Sequence, residues 1–261
     1  LDDMKKSKLK TVAYLLAVLV LGGCKTAPEP LELAPDYQKA RYPIYLVHGI
    51  GFTSENLSFD YWEGVTPILD ELGVPWFTSN QSAFGLIEDN AETLKKDILE
   101  YMEKHPGVEK VNIIAHSRGG LESRWMITHL DMADNVASLS MLSTPHRGSP
   151  IANLVFEHID SEEHLLVKSL GAWLTLRGEE ETDAFTSGMQ LTTMNMTSFN
   201  DQVPDVPGVY YQSWGGAIDK QYPNALWLNL SKIVDKVEGA NDGMVSIQSA
   251  RWGNFRGAIS G

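Results

Sequence analysis

Ser117 stands in the string Ala115-His116-Ser117-Arg118-Gly119-Gly120, where small residues flank a hydroxyl side. A serine hydroxyl attacks a carbonyl only if a base takes its proton and fixed donors meet the oxyanion that forms. The small-x-Ser-x-Gly spacing suits that task, because it lets a strand and a helix approach closely around a sharp turn with the serine at its tip. Residues 110–116 carry Val111, Ile113 and Ile114 and read as the entering strand; residues 119–130 read as the leaving helix. The N-terminus of that helix directs its dipole and backbone N–H groups at the reacting centre. The backbone N–H of Arg118, next after the serine, is then one oxyanion donor. Its side chain is expected to be solvated.

The surrounding elements are legible from apolar spacing. Residues 43–49 form a nearly continuous apolar run closed by glycine, the pattern of a strand buried on both faces of a parallel sheet. Residues 73–77, 136–143 and 209–214 read as further strands. Leu94, Ile98, Tyr101 and Met102 recur at helical spacing, with Asn90 expected as N-cap and Pro106-Gly107 as the stop. Residues 225–237 read as a helix, and Asn241, Asp242 and Gly243 as a loop. Strands alternating with helices imply a mostly parallel central sheet with right-handed crossovers and helices on both faces. Residues 149–202, which include the acidic cluster Glu179, Glu180 and Glu181, are long for a connection and are expected to be helical, as a cap or lid or as ordinary peripheral packing.

The chain of 261 residues has 34 acidic against 21 basic residues and a net charge of −13, which argues against a nucleic-acid partner. The amino-terminal segment has a different character. Lys5, Lys6, Lys8 and Lys10 follow Met4, the expected start, and lead into an apolar run over residues 11–21. That is the pattern of a signal peptide over residues 1–23, and its apolar part is too short to span a bilayer. The run ends in Leu21-Gly22-Gly23-Cys24, which resembles the lipobox of bacterial lipoproteins; the resemblance implies cleavage before Cys24 and diacylglycerol on its sulfur. Cys24 is the sole cysteine, so no disulfide forms within the chain. Without residues 1–23, which hold two Asp and four Lys, the charge becomes −15. Residues 24–41, with Pro28, Pro30 and Pro35, read as a tether to a domain spanning residues 42–261. The expectation is an exported protein held by a lipid anchor at the cell envelope or surface.

In order along the chain, YPIYLVHGI (42–50), IIAHSRGG (113–120), STPHRGS (143–149), YYQSW (210–214) and ANDG (240–243) resemble the bacterial lipases of the α/β-hydrolase superfamily. The likeness is to the true lipases of Pseudomonas and Proteus type and their Gram-positive relatives, over residues 42–246, and is thinnest across 149–202. Ala115 replaces the commoner glycine, as in small Bacillus lipases. The resemblance implies the α/β-hydrolase fold, a second oxyanion N–H from Ile50 and a triad acid at Asp242. It also implies hydrolysis of carboxylic esters, acylglycerols first, with no cofactor needed for the chemistry. Esterase, phospholipase and polyester depolymerase activities are alternatives on the same triad, and a non-catalytic acyl-binding surface lipoprotein is an alternative of another class. Lipases of this group often hold a structural calcium ion, for which Asp219 is the best candidate ligand; a solvated surface aspartate is the plainer reading.

The superfamily orders its triad serine, acid, histidine. All seven histidines (48, 105, 116, 129, 146, 158 and 164) precede Asp242, and Gly261 stands only 19 positions past it. The expected base therefore lies beyond Gly261 in a longer chain; the rival is a natural pseudoenzyme. His48 and His146 are expected to support loop geometry, and His116 to point away from Ser117.

Overall fold

The computed structural model describes residues 39–51, 61–157, 184–219 and 225–260. The expected signal segment, Cys24 and the tether up to residue 38 lie outside them. Among the described residues no helix is long and apolar enough to cross a membrane.

Ile44–Val47 form β1, and all four residues are buried. The run lacks polar alternation because both faces of the sheet are covered. Tyr45 and Val47 pack with Ala91, Leu94 and Ile98 of α2 (Ile87–Lys104) and with Met126 of α3 (Gly119–His129). Ile44 and Leu46 turn the other way, onto Leu69 of α1 (Thr66–Glu71) and Val74. The remaining strands are β2 (Trp76–Thr78), β3 (Val111–His116), β4 (Val136–Leu142), β5 (Tyr210–Ala217) and β6 (Asn254–Ser260). They lie in the order β2-β1-β3-β4-β5-β6, and every neighbouring pair is parallel. The expected parallel α/β architecture is the observed one. Its topological switch lies between β1 and β3, where the crevice beyond the carboxyl ends of the strands is the usual ligand site of such sheets.

Three local features depart from the expectations. Asn90 is not an N-cap: α2 starts at Ile87 after an extended Leu86, and Asn90 is buried within the first turns. Ile87 extends the helix because it joins the apolar cluster of Leu121, Met196 and Phe199. The short helix α1 and the edge strand β6 carry little apolar periodicity; most of β6 is exposed, which removes the pattern that marks buried strands. Arg124 of α3 holds the approach to β6, with its guanidinium carbon 3.5 Å over the Trp252 ring and Nη2 donating to the Val203 carbonyl at 2.7 Å.

Within 149–202 the described parts are helical: α4 (Pro150–Phe156), α5 (Ala184–Met189) and α6 (Thr193–Gln202). Residues 158–183, the middle of the expected cap, lie outside the described residues. Ser149 caps α4 by accepting the Ile151 N–H at 3.1 Å. Met196 and Phe199 bury α6 against residues of α2 and α3. The last helix, α7 (Ala225–Glu238), packs Leu230 and Val234 on Ile151.

Candidate active site

Ser117 follows β3 directly and has φ +52°, a left-handed conformation that costs a non-glycine residue energy and persists only where its surroundings impose it. Here the imposition is visible. The Ser117 N–H donates to the Leu142 carbonyl at the end of β4 at 2.9 Å, and α3 begins two residues later. The helix can start so close to the sheet because Gly119 faces the His48 carbonyl and Gly120 the Thr144 side chain, where a Cβ on either would collide.

The end of β1 lies against this turn. A Cβ at Gly49 would come 2.8 Å from Ser117 Cβ, so the His48-Gly49-Ile50 segment flanks the serine. Neither the Ile50 nor the Arg118 amide N–H meets an acceptor among the described residues. Asp242 arrives on the loop between α7 and β6. One of its carboxylate oxygens accepts the N–H groups of Met244 and Val245 at 3.0 and 2.8 Å, and Asn241 braces the turn by accepting the Gly243 N–H at 2.8 Å.

Ser117, Asp242 and Ile50 line one cavity of ≈ 480 Å³. Leu191, Trp214, Ile218, Trp227, Met244 and Val245 make much of its wall apolar. The arrangement can present an ester carbonyl to the serine hydroxyl while its chain rests on apolar surface.

Two of the sequence expectations need correction. His116 was expected to point away from Ser117, yet it lines the same cavity. Tyr61 reaches across to it: the hydroxyl shares a hydrogen bond with His116 Nδ1 and accepts the Gly49 N–H at 3.1 Å. Burial lowers the His116 pKa, against an opposing pull from Asp242. The Arg118 side chain was expected to be solvated, yet it is 1% exposed, with Nε 2.8 Å from a Glu122 carboxylate oxygen and Nη1 donating to Ser187. A pair four residues apart at a helix start is readable in the sequence; its burial is not.

His48 and His146 stand apart from the cavity. The His48 ring is buried, with Nδ1 2.9 Å from the Gly49 carbonyl, and burial lowers its pKa to about 4. His146 is fully buried, stacks on Trp252 and sits 3.2 Å from Arg124 Nη1. Asp219 is exposed just past β5, and no group of three or more His, Cys, Asp or Glu among the described residues is placed to hold a metal ion.

The sequence profile of the PGAP1-like alpha/beta domain matches residues 77–206. A triacylglycerol lipase of Vibrio cholerae is 30% identical over 242 residues, which are 83% of this chain and 76% of that protein. This chain belongs to the triacylglycerol lipase family. Triacylglycerol lipase 2 of Saccharomyces cerevisiae is 32% identical over 208 residues, 78% of this chain and 60% of its own length. The Burkholderia plantarii triacylglycerol lipase is 31% identical over 211 residues, or 58% of its length. This family member thus spans about three fifths of those two relatives. Among solved structures, the mature form of a Bacillus licheniformis lipase superposes with a TM-score of 0.65 at 22% identity, covering 88% of each chain. That likeness identifies the fold as the one lipases and esterases share.

Proposed function

We infer that this protein hydrolyses carboxylic esters, acylglycerols above all, with Ser117 as nucleophile. The observation that carries the reading is the strained Ser117, φ +52°, at the switch point of the sheet in an apolar cavity that it shares with Asp242. The names of the relatives support the substrate class.

In the proposed reaction Ser117 Oγ attacks the ester carbonyl carbon as a histidine takes its proton. The Ile50 and Arg118 amides hold the resulting oxyanion. Collapse breaks the bond to the alcohol, which leaves with the proton from the histidine, and water repeats the sequence on the acyl-enzyme. Asp242 orients that histidine.

A lipid anchor at Cys24, with residues 25–41 as tether, would hold the enzyme at a membrane surface of the cell envelope. Incorporation of labelled fatty acid, abolished by Cys24→Ala, tests that part. For the chemistry, a fluorophosphonate probe on the full-length protein should label Ser117 and fail on Ser117→Ala; an unlabelled wild type would indicate a non-catalytic acyl-binding protein. Comparing emulsified triolein with a short p-nitrophenyl ester then separates lipase from esterase, since an esterase gains no rate at the oil interface.

A further inference from the structure

Both segments that carry the oxyanion amides are tied to one buried carboxylate. Glu122, in the first turn of α3, is 1% exposed. One of its oxygens lies 2.8 Å from Arg118 Nε and accepts Asn90 Nδ2 at 2.7 Å; the other accepts Gln81 Nε2 at 3.2 Å. Gln81 Nε2 also donates to the His48 carbonyl at 3.0 Å, on the peptide that leads into Gly49 and Ile50. Asn90 fixes the same loop, donating to the Ser82 carbonyl at 2.9 Å and accepting the Ser82 N–H at 3.1 Å. The next residue, Ala83, accepts the Gly51 N–H at 2.9 Å, one position past Ile50. The Arg118 guanidinium is anchored in turn by Ser187 of α5.

We propose that Glu122 is the positioning residue that sets the spacing of the two oxyanion amides, through Gln81 to the Ile50 segment and through the Arg118 side chain to the nucleophile turn. The proposal rests on the reading of Ser117 as nucleophile and of Ile50 and Arg118 as its oxyanion donors. Oxyanion stabilisation depends on donors fixed before the charge develops. Stability alone is a poor reason for this carboxylate, because an apolar replacement of a buried ion pair is often neutral or stabilising. Burial indeed raises the Glu122 pKa, against the opposing effects of Arg118, Asn90 and Gln81. What an apolar side chain cannot do is accept from α2 and from the 79–86 loop while ion-pairing with Arg118, and so fix their mutual register.

The test uses the full-length protein with Glu122→Gln, which keeps the shape and removes the charge, and Gln81→Met, which cuts the link to the His48 carbonyl but spares the Arg118 pair. With a p-nitrophenyl ester, kcat should fall about tenfold or more in each variant while KM moves less than about twofold, within the roughly 100- to 1,000-fold that loss of a whole oxyanion donor costs. Affinity for an alkylboronic acid, whose adduct with the serine places an anionic oxygen in the oxyanion site, should fall in parallel with kcat/KM. The double variant should lose little more than the worse single one, as members of one network do. A folded Glu122→Gln or Gln81→Met protein with wild-type kcat and boronate affinity overturns the proposal, and if Glu122→Gln does not fold, Gln81→Met decides. Ser117→Ala distinguishes the other failure: undiminished hydrolysis there places the nucleophile elsewhere and overturns the reading on which the proposal rests.

Discussion

Gly216 at the end of β5 lies directly against Asp242: a Cβ on Gly216 would come 2.9 Å from Asp242 Cβ and 3.4 Å from one of its carboxylate oxygens. Gly216→Ala should therefore push the Asp242 carboxylate off its position. An error of about 1 Å in a reacting constellation can cost on the order of 100-fold, so kcat for a short ester should fall by at least about tenfold, with KM nearly unchanged. Steady-state kinetics on the full-length protein would measure it, and wild-type kcat would show that Asp242 does not act in the reaction.

Asp242→Asn separates charge from structure. The amide oxygen can still accept from the Met244 and Val245 N–H groups, so the loop keeps its form. Loss of the anion facing the proposed histidine should lower kcat by about 10,000-fold. Thermal unfolding should remain within about 0.5 kcal/mol of wild type.

Tyr61→Phe removes the hydroxyl that joins the Gly49 N–H to His116 Nδ1 and leaves both buried groups without that partner. An unpaired buried polar group costs about 1–3 kcal/mol, which urea denaturation should register as a lower midpoint at unchanged slope. Gly49 precedes Ile50, so a fall in kcat should accompany the loss of stability.

Acid should weaken the fold in a defined window. Burial lowers the pKa of His48 to about 4, and also lowers those of His116 and His146. In the unfolded chain these imidazoles protonate near the ordinary value of about 6.5, so below that pH the unfolded state binds more protons. The stability they contribute is present above pH 6.5 and drains away as the pH falls toward about 4, with His48 alone accounting for about 3 kcal/mol by then. Urea unfolding at pH 7, 5.5 and 4 would show the decline, and His48→Gln should flatten it.

Much of the frame was legible because strands buried on both faces write their environment into a continuous apolar run, as Ile44–Val47 does. The edge strand β6 was not legible, since most of its side chains face solvent and carry no such pattern. Asn90 looked like a helix cap because its residue type favours caps. The chain instead uses it as a buried donor to Glu122, which the local sequence does not specify.

By itself the sequence determined the turn that carries Ser117. Its requirements are local: a short strand, small residues where two backbones meet, and a helix start within a few residues of Ser117. It also named Asp242 and Ile50, through family motifs rather than through any spacing that ties them to the serine. Only the tertiary structure decided that these residues share a cavity with Ser117, that Tyr61 and His116 stand beside them, and that Arg118 is buried against Glu122. The physical reason is that burial and long-range contact depend on which surfaces the parallel sheet brings together. A side chain's type and its near neighbours in sequence leave that choice open.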